Sequence, residues 1–404
     1  MIAVVHPGRL RGAVEVPASK SLAHRWLIAA ALADAPTRIA LNALNEDIEA
    51  TANCLRALGA QIERTQRELC VLPIPRGYVG SPCVLNCGES GSTLRFLLPV
   101  ATALGMPCRF IGAGRLPERP NAPLVDALNA LGAQINRDRL PIEASGKLRG
   151  GEIRIAGNIS SQYISGLLMA LPLCPSDSRI RLTTSLESED YVRLTLHVLG
   201  QFGIHVECTA DGWRVPGGQR YSSPGTASLE ADWSSAAFWL AANHLGSEVA
   251  CLGLNNQSAQ GDRAIFDCLN RLGGEIDASG IPDLVPVLAV AAAAHPGVTR
   301  IFGAARLRLK ESDRLQATAD LLTALGGQAE VLPDGLVIRG GMPLTGGIVD
   351  GYGDHRIVMA AAIAATVASG AVVIRGAEAA AKSYPSFFQD FQRLGGFVDV
   401  ESDR

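Results

Sequence analysis

No apolar stretch of this chain is long enough to cross a bilayer. The longest uncharged runs, such as residues 284–294, fall short of the roughly 20 residues that a spanning helix needs, so no membrane span is expected. The first residues, MIAVVHPGRLRG, carry no basic patch followed by a long apolar stretch, and neither a secretory signal nor a transit peptide is expected. The nine cysteines are scattered, with Cys83 and Cys87 the closest pair. There is no CxxC and no His/Cys spacing of a zinc site, which leaves a reduced cytoplasm and no metal as the expectation. Basic residues are not in excess either: the formal charge is -3, which argues against a nucleic-acid binder relying on a broad basic surface.

What is present is a repeat. A leucine-rich helix end, a glycine and a step into a strand recur six times: LRALGAQI, LNALGAQI, LGQFGIHV, LNRLGGEI, LTALGGQA and FQRLGGFV. Their glycines are Gly59, Gly132, Gly203, Gly273, Gly326 and Gly395, nearly evenly spaced except for one short interval between Gly273 and Gly326. Glycine suits such a place because helices often end on a left-handed residue, a conformation that only a residue without Cβ adopts free of strain. A second series runs in phase, in which small polar residues open an apolar helix: from Ser19, Ser90, Ser160, Ser234, Pro282 and Asp354. Each repeat therefore carries two helices. The all-apolar ones should be buried inside a wrapping of strands, and the ones before each glycine, which alternate polar and apolar positions, should face water. With 404 residues, 48% hydrophobic and 19% charged, two large cores rather than one are expected.

Cations gather at helix starts or in loops beside them: Lys20 and Arg25; Arg95; Arg115 and Arg119; Lys310 and Arg314; His355 and Arg356; Lys382. A helix N-terminus already presents unpaired N–H groups and partial positive charge, so a base placed there works against the helix and is better explained by an anionic ligand. A blander reading exists for each motif. SGSTLR and SSQY are consistent with ordinary N-caps, KESDR (310–314) with a solvated helix face, and DHR (354–356) with a capping Asp and two surface bases. Recurrence at equivalent repeat positions favours the ligand.

Ten segments in order carry a resemblance: VPASKSLAHR, CGESGSTLRFL, LPERPNAPLVDAL, GNISSQYISGLLMALPL, SEDYVRLTL, DWSSAAFWLAA, IPDLVPVLA, LKESDRL, DHRIVMA and KSYPSFF. Along essentially its whole length the chain resembles the 5-enolpyruvylshikimate 3-phosphate synthases of the enolpyruvyl transferase family. The resemblance implies an α/β fold, the two-domain inverse α/β barrel with six βαβαββ repeats, three per domain, and the active site in the interdomain cleft. Domain one would be residues 1–17 plus 226–404 and domain two residues 18–225, joined through the Gly/Pro/Ser-rich segment 216–226.

The reaction so implied moves the enolpyruvyl group of phosphoenolpyruvate to the 5-hydroxyl of shikimate 3-phosphate, in the shikimate pathway to chorismate, with no cofactor. Each substrate carries a phosphate and a carboxylate, and the cations match that inventory. Carried over by motif, Lys20, Arg119, Gln162 and Lys382 would hold the phosphoenolpyruvate phosphate beside Gly91, and Arg314 and Arg356 its carboxylate. For shikimate 3-phosphate, Ser160, Ser161, Ser188 and Lys310 would take the phosphate, Gln162 would lie alongside, Ser21 and Arg25 would take the carboxylate, Asp283 the hydroxyls, and Tyr191 would line the site. Arg95 would stand behind these. The catalytic groups would be Asp283, as base at the 5-hydroxyl, Glu311, as the acid and base at the methylene carbon, and Lys20, at the departing phosphate. The family pattern also suggests a monomer that acts on small molecules, away from nucleic acid and membrane, and inhibition by glyphosate competitive with phosphoenolpyruvate.

Three departures stand out. Glu89 replaces a common Asn and must be paired or turned away, Arg306 replaces another, and Glu189-Asp190 replace Lys-Pro. The sister enzyme acting on UDP-N-acetylglucosamine typically has a cysteine in the loop that here reads GAGRLPERP (112–120), which has none. A non-catalytic anion binder is the third reading. It would gain nothing from keeping Asp283 and Glu311 buried.

Overall fold

The computed structural model describes residues 1–65, 67–75, 77 and 82–401. The chain divides into two compact units, one of residues 1–17 and 230–404, the other of residues 18–229. The second passage between them therefore lies at 229/230, not at the expected 225/226. The reason is a strand: Thr226–Ser228 pairs in parallel with Thr37–Ala40, Ala227 opposite Ile39, and so completes a sheet of the second unit.

One repeat of the second unit gives the pattern. Strand Cys83–Asn86 leads into helix Gly91–Leu104, strand Cys108–Ile111, helix Ala122–Ala130, and a hairpin of Ala133–Ile135 and Ile142–Gly146. The first two strands are parallel, and the fourth lies antiparallel between the second and the third. Five four-stranded sheets share this order among the described residues. The remaining sheet has two strands, Arg11–Glu15 beside Glu248–Leu252. No hairpin follows its second helix, Ile265–Leu269: the chain runs past Gly273 straight into Glu275–Asp277, the first strand of the next sheet. That missing hairpin accounts for the short interval between Gly273 and Gly326.

The division into buried and solvent-facing helices follows the hydrophobic pattern. In Val285–Ala294 and His355–Ala365 nearly every residue is buried, whereas Glu46–Ala57 buries only Ile48, Thr51, Ala52, Cys54 and Leu55. In the first unit the inner helices Trp233–His244, Val285–Ala294 and His355–Ala365 all touch one another; in the second, Gly91–Leu104 packs on both Lys20–Ala31 and Ser161–Ala170. Each unit has its own apolar core. All six phrase glycines have positive φ, from 72° at Gly203 to 103° at Gly132, as the helix-end reading requires.

Ser19, Ser90, Ser160 and Asp354 accept from the N–H groups of Leu22, Thr93, Gln162 and Arg356, so they are caps. A cap satisfies one of several orphan donors, and capping does not compete with anion binding. Two starts differ from expectation. Asp232 rather than Ser234 opens its helix, and Pro282–Leu284 forms a short 3-10 turn before Val285.

Candidate active site

In the first unit, Arg314 opens helix Arg314–Ala324 with its side chain 1% exposed, so KESDR is no solvated face. A buried guanidinium must spend its donors on the protein, and here they go to carboxylates. Nη1 donates to Asp283 Oδ1 at 2.8 Å, Nη2 to Glu311 Oε2 at 2.7 Å, and Nε to Asp354 Oδ2 at 2.9 Å. Burial works against its charge, but Asp354, Glu311 and Asp283 outweigh that and raise its pKa. Arg356, on the first turn of the next inner helix, donates to the Ser234 carbonyl at 3.0 Å and to Asp283 Oδ2 at 3.4 Å. Lys310 Nζ lies 3.7 Å from Asp283 Oδ1. Its pKa is pushed down to about 8, chiefly by burial; Arg314 and Arg306 add to this and Asp283 and Glu311 partly offset it. The cluster thus gathers Asp283, Lys310, Glu311, Arg314 and Arg356. Lys382 Nζ donates to the Gly353 carbonyl at 2.6 Å, just before the Asp354 cap.

Two acids of this cluster carry no signal in the sequence pattern. Asp354 was seen only as a cap, yet it also accepts from Arg314 and from Ser312 Oγ at 2.9 Å. Asp262 is buried, accepts from Ser234 Oγ, and has its pKa pushed up to about 7, first by burial and then by the charge of Asp283. Ser234 links it to Arg356 through the carbonyl noted above. A search for bases at helix starts is blind to their counter-ions, which come from distant loops.

In the second unit the buried Arg25 and Arg95 donate to dipoles. Arg25, 2% exposed, donates from Nε to Thr195 Oγ1 at 2.7 Å, from Nη1 to the Ser21 carbonyl at 2.7 Å, and from Nη2 to the Tyr191 carbonyl at 2.8 Å and Ser165 Oγ at 3.3 Å. It also stacks over Phe96 at 5.0 Å, so it ties all three inner helices. Burial lowers its pKa to about 10. Arg95 donates to Asn121 Oδ1 at 3.0 Å and Gln162 Oε1 at 2.7 Å, while Gln162 Nε2 donates to Ser92 Oγ at 2.9 Å. Asn121 Nδ2 and the Tyr163 hydroxyl donate to the carbonyls of Arg119 and Pro120, which fixes the segment carrying Arg119.

Gly91 is the first residue of its helix, and a Cβ there would stand 2.9 Å from Arg119 Nη1. Glycine is what lets that guanidinium lie against a helix N-terminus. Two like partial charges are brought together, an arrangement suited to an anion. Lys20 Nζ contacts Asp47 Oδ2 at 3.0 Å. Ser160 caps its helix beside Ser161, and Ser188 holds φ 52°, a strained conformation for a residue with Cβ.

The Glu89 carboxylate packs over Gly114, whose positive φ and lack of Cβ make room for it. Arg306 Nη2 donates to the Ser279 carbonyl. Glu189 and Asp190 occupy a helix first turn and pair with Arg193 at 2.9 and 3.4 Å, so they act there as favourable acids. Among the described residues no group of three or more His, Cys, Asp or Glu could hold a metal, and no helix is long and apolar enough to cross a membrane.

A family model described as EPSP synthase (3-phosphoshikimate 1-carboxyvinyltransferase) matches residues 4–280 and 273–391. The 3-phosphoshikimate 1-carboxyvinyltransferase of Clostridium kluyveri is 41% identical over 417 residues, covering 98% of this chain and 97% of the relative. That of Clostridium novyi is 38% identical over 423 residues, covering 97% of each. A solved EPSP synthase from Acinetobacter baumannii matches with a TM-score of 0.83 at 25% identity, covering 99% of this chain and 100% of that one. The fold extends to the enolpyruvyl transferase NikO from Streptomyces tendae, with a TM-score of 0.79 at 20% identity and 98% of each chain covered. Sequence and architecture agree from end to end, and the chain belongs to the EPSP synthase family.

Proposed function

We propose that the protein transfers the enolpyruvyl group of phosphoenolpyruvate to the 5-hydroxyl of shikimate 3-phosphate and releases phosphate. In a chain of this family, the observation that carries the reading is the seating of Asp283 and Glu311 on the two amino groups of one buried arginine. Two carboxyls held a fixed distance apart can divide a proton removal and a proton delivery.

In the addition step the 5-oxygen bonds to C2 of phosphoenolpyruvate, its proton passing to Asp283, while Glu311 gives a proton to C3. In the elimination step the C2–O bond to phosphate breaks with its electrons leaving on phosphate, which takes up the proton lost from the 5-hydroxyl and frees Asp283, and Glu311 takes a proton back from the methyl. Lys20, with Arg119, Gln162 and Lys382, neutralises the departing phosphate. Arg314 and Arg356 hold the substrate carboxylate, which must share or displace Glu311 and Asp283 on their guanidinium edges. Displacement removes a stabilising cation from Glu311 and so raises its affinity for the proton it has to deliver. Ser160, Ser161, Ser188 and Lys310 take the second phosphate, with Ser21, Arg25 and Tyr191 around the ring. These roles require the anion-binding groups of both units to serve one substrate pair.

Phosphate release on mixing the protein with phosphoenolpyruvate and shikimate 3-phosphate tests the reading. Release with UDP-N-acetylglucosamine instead would contradict it. On the same reading the protein works in the cytoplasm as a monomer, and sedimentation as a species near 42.4 kDa checks the latter. Glyphosate should compete with phosphoenolpyruvate beside Gly91, and inhibition that ignores phosphoenolpyruvate concentration would rule that out.

A further inference from the structure

Four of the nine cysteines gather about one sheet of the second unit, and none of them is given a role above. Cys83 opens strand Cys83–Asn86, Cys108 opens the neighbouring strand Cys108–Ile111, and the two face each other directly in the parallel register. Adjacent strands lie about 4.8 Å apart, within the range that a disulfide spans. The sulfurs are 3.3 Å from one another. Cys108 is 4% exposed, whereas Cys83 is half-buried, so one thiol of the pair is reachable from solvent and the other is not. Cys54 and Cys87, close behind, are buried; the Cys54 thiol donates to the Asn86 carbonyl at 3.3 Å.

We propose that Cys83 and Cys108 are a peroxide-sensitive dithiol that closes reversibly to a cross-strand disulfide. The Cys108 thiol lies 3.3 Å from the Met106 carbonyl as well as from Cys83 Sγ; with its S–H turned to Cys83 it favours the Cys83 thiolate, pushing the Cys83 pKa down to about 7, while Cys108 itself is raised. The thiolate, not the thiol, is the nucleophile. Cys83 Sγ attacks one oxygen of hydrogen peroxide, breaking the O–O bond to give a sulfenic acid and hydroxide. Cys108 Sγ then attacks the sulfenyl sulfur; the S–S bond forms, and the expelled hydroxide takes the Cys108 proton as water. In sum two thiols are oxidised and peroxide is reduced to two waters; a dithiol reductant reverses the bond. The two strands run at their far ends into the segments that carry Gly91 and Arg119, so the clip would sit on the sheet that presents those groups.

Peptide mapping of the full-length protein after brief hydrogen peroxide treatment, digested without reduction, tests this. The expected product links the Cys83 and Cys108 peptides, with two fewer titratable thiols per chain, both restored by dithiothreitol. Cys83→Ser should abolish the link, and Cys108→Ser should leave Cys83 to accumulate as a sulfenic or sulfinic acid. If Cys108→Ser fails to fold, the wild-type map still decides. Cys83 oxidised while Cys108 stays a free thiol, a disulfide joining any other pair, or both thiols surviving a treatment that oxidises the exposed Cys208 would each overturn the proposal.

Discussion

The two units solve the problem of a buried cation differently. In the first, Arg314 is surrounded by Asp283, Glu311 and Asp354, and the cluster neutralises itself. In the second, Arg25 spends its donors on hydroxyls and carbonyls, Arg95 on two side-chain amides, and Arg119 lies against a helix start. A charge solvated by dipoles keeps its attraction for an outside anion, whereas one matched by carboxylates does not, but brings groups that can move protons. The contrast separates holding anions from acid-base work.

Stability should expose the contrast most strongly. Arg314→Ala leaves the buried Asp354 carboxylate and the part-buried Asp283 and Glu311 without their shared cation, so unfolding measurements should lose about 3–5 kcal/mol. Arg119→Ala should make KM for phosphoenolpyruvate climb steeply while the acid-base cluster of the first unit is left intact. A loss of less than about 1 kcal/mol in Arg314→Ala would break the comparison. Gly166→Ala should destabilise the second unit without touching any charge. Its added Cβ would meet the Arg95 carbonyl, which has no helical donor because Pro99 follows four residues later. Gly91→Ala is milder: the nearest atoms its Cβ meets are the far end of the Arg119 side chain rather than backbone, so folding should hold while KM for phosphoenolpyruvate rises several-fold.

The pH dependence of Lys310 sharpens the comparison further. Its folded pKa of about 8 lies below the ordinary 10.5, so the folded state binds fewer protons than the unfolded one between those values. Its contribution to stability should therefore rise with pH across that window, and Lys310→Met should remove the slope. Affinity for shikimate 3-phosphate should weaken as pH passes about 8, as the cation is lost.

Much of this was legible in the residues. The glycine phrases and the polar-to-apolar helix openings foretold the twelve α-helices of the described chain and their sorting into inner and outer sets. The short interval after Gly273 recorded a missing hairpin without saying so. Less visible was what depends on contacts distant in sequence. Thr226–Ser228 belongs to the second unit only because it pairs with Thr37–Ala40, and Asp354, Asp262 and Asp47 matter only through the cations they face. Periodicity reports burial along one element; it carries no record of which loop supplies a counter-ion.

The division of labour rests most directly on Glu311. Phosphate release from saturating phosphoenolpyruvate and shikimate 3-phosphate should fall about 10²–10⁴-fold in Glu311→Gln, with binding of shikimate 3-phosphate to the free enzyme little changed. Turnover within a few-fold of the unaltered protein would contradict the account.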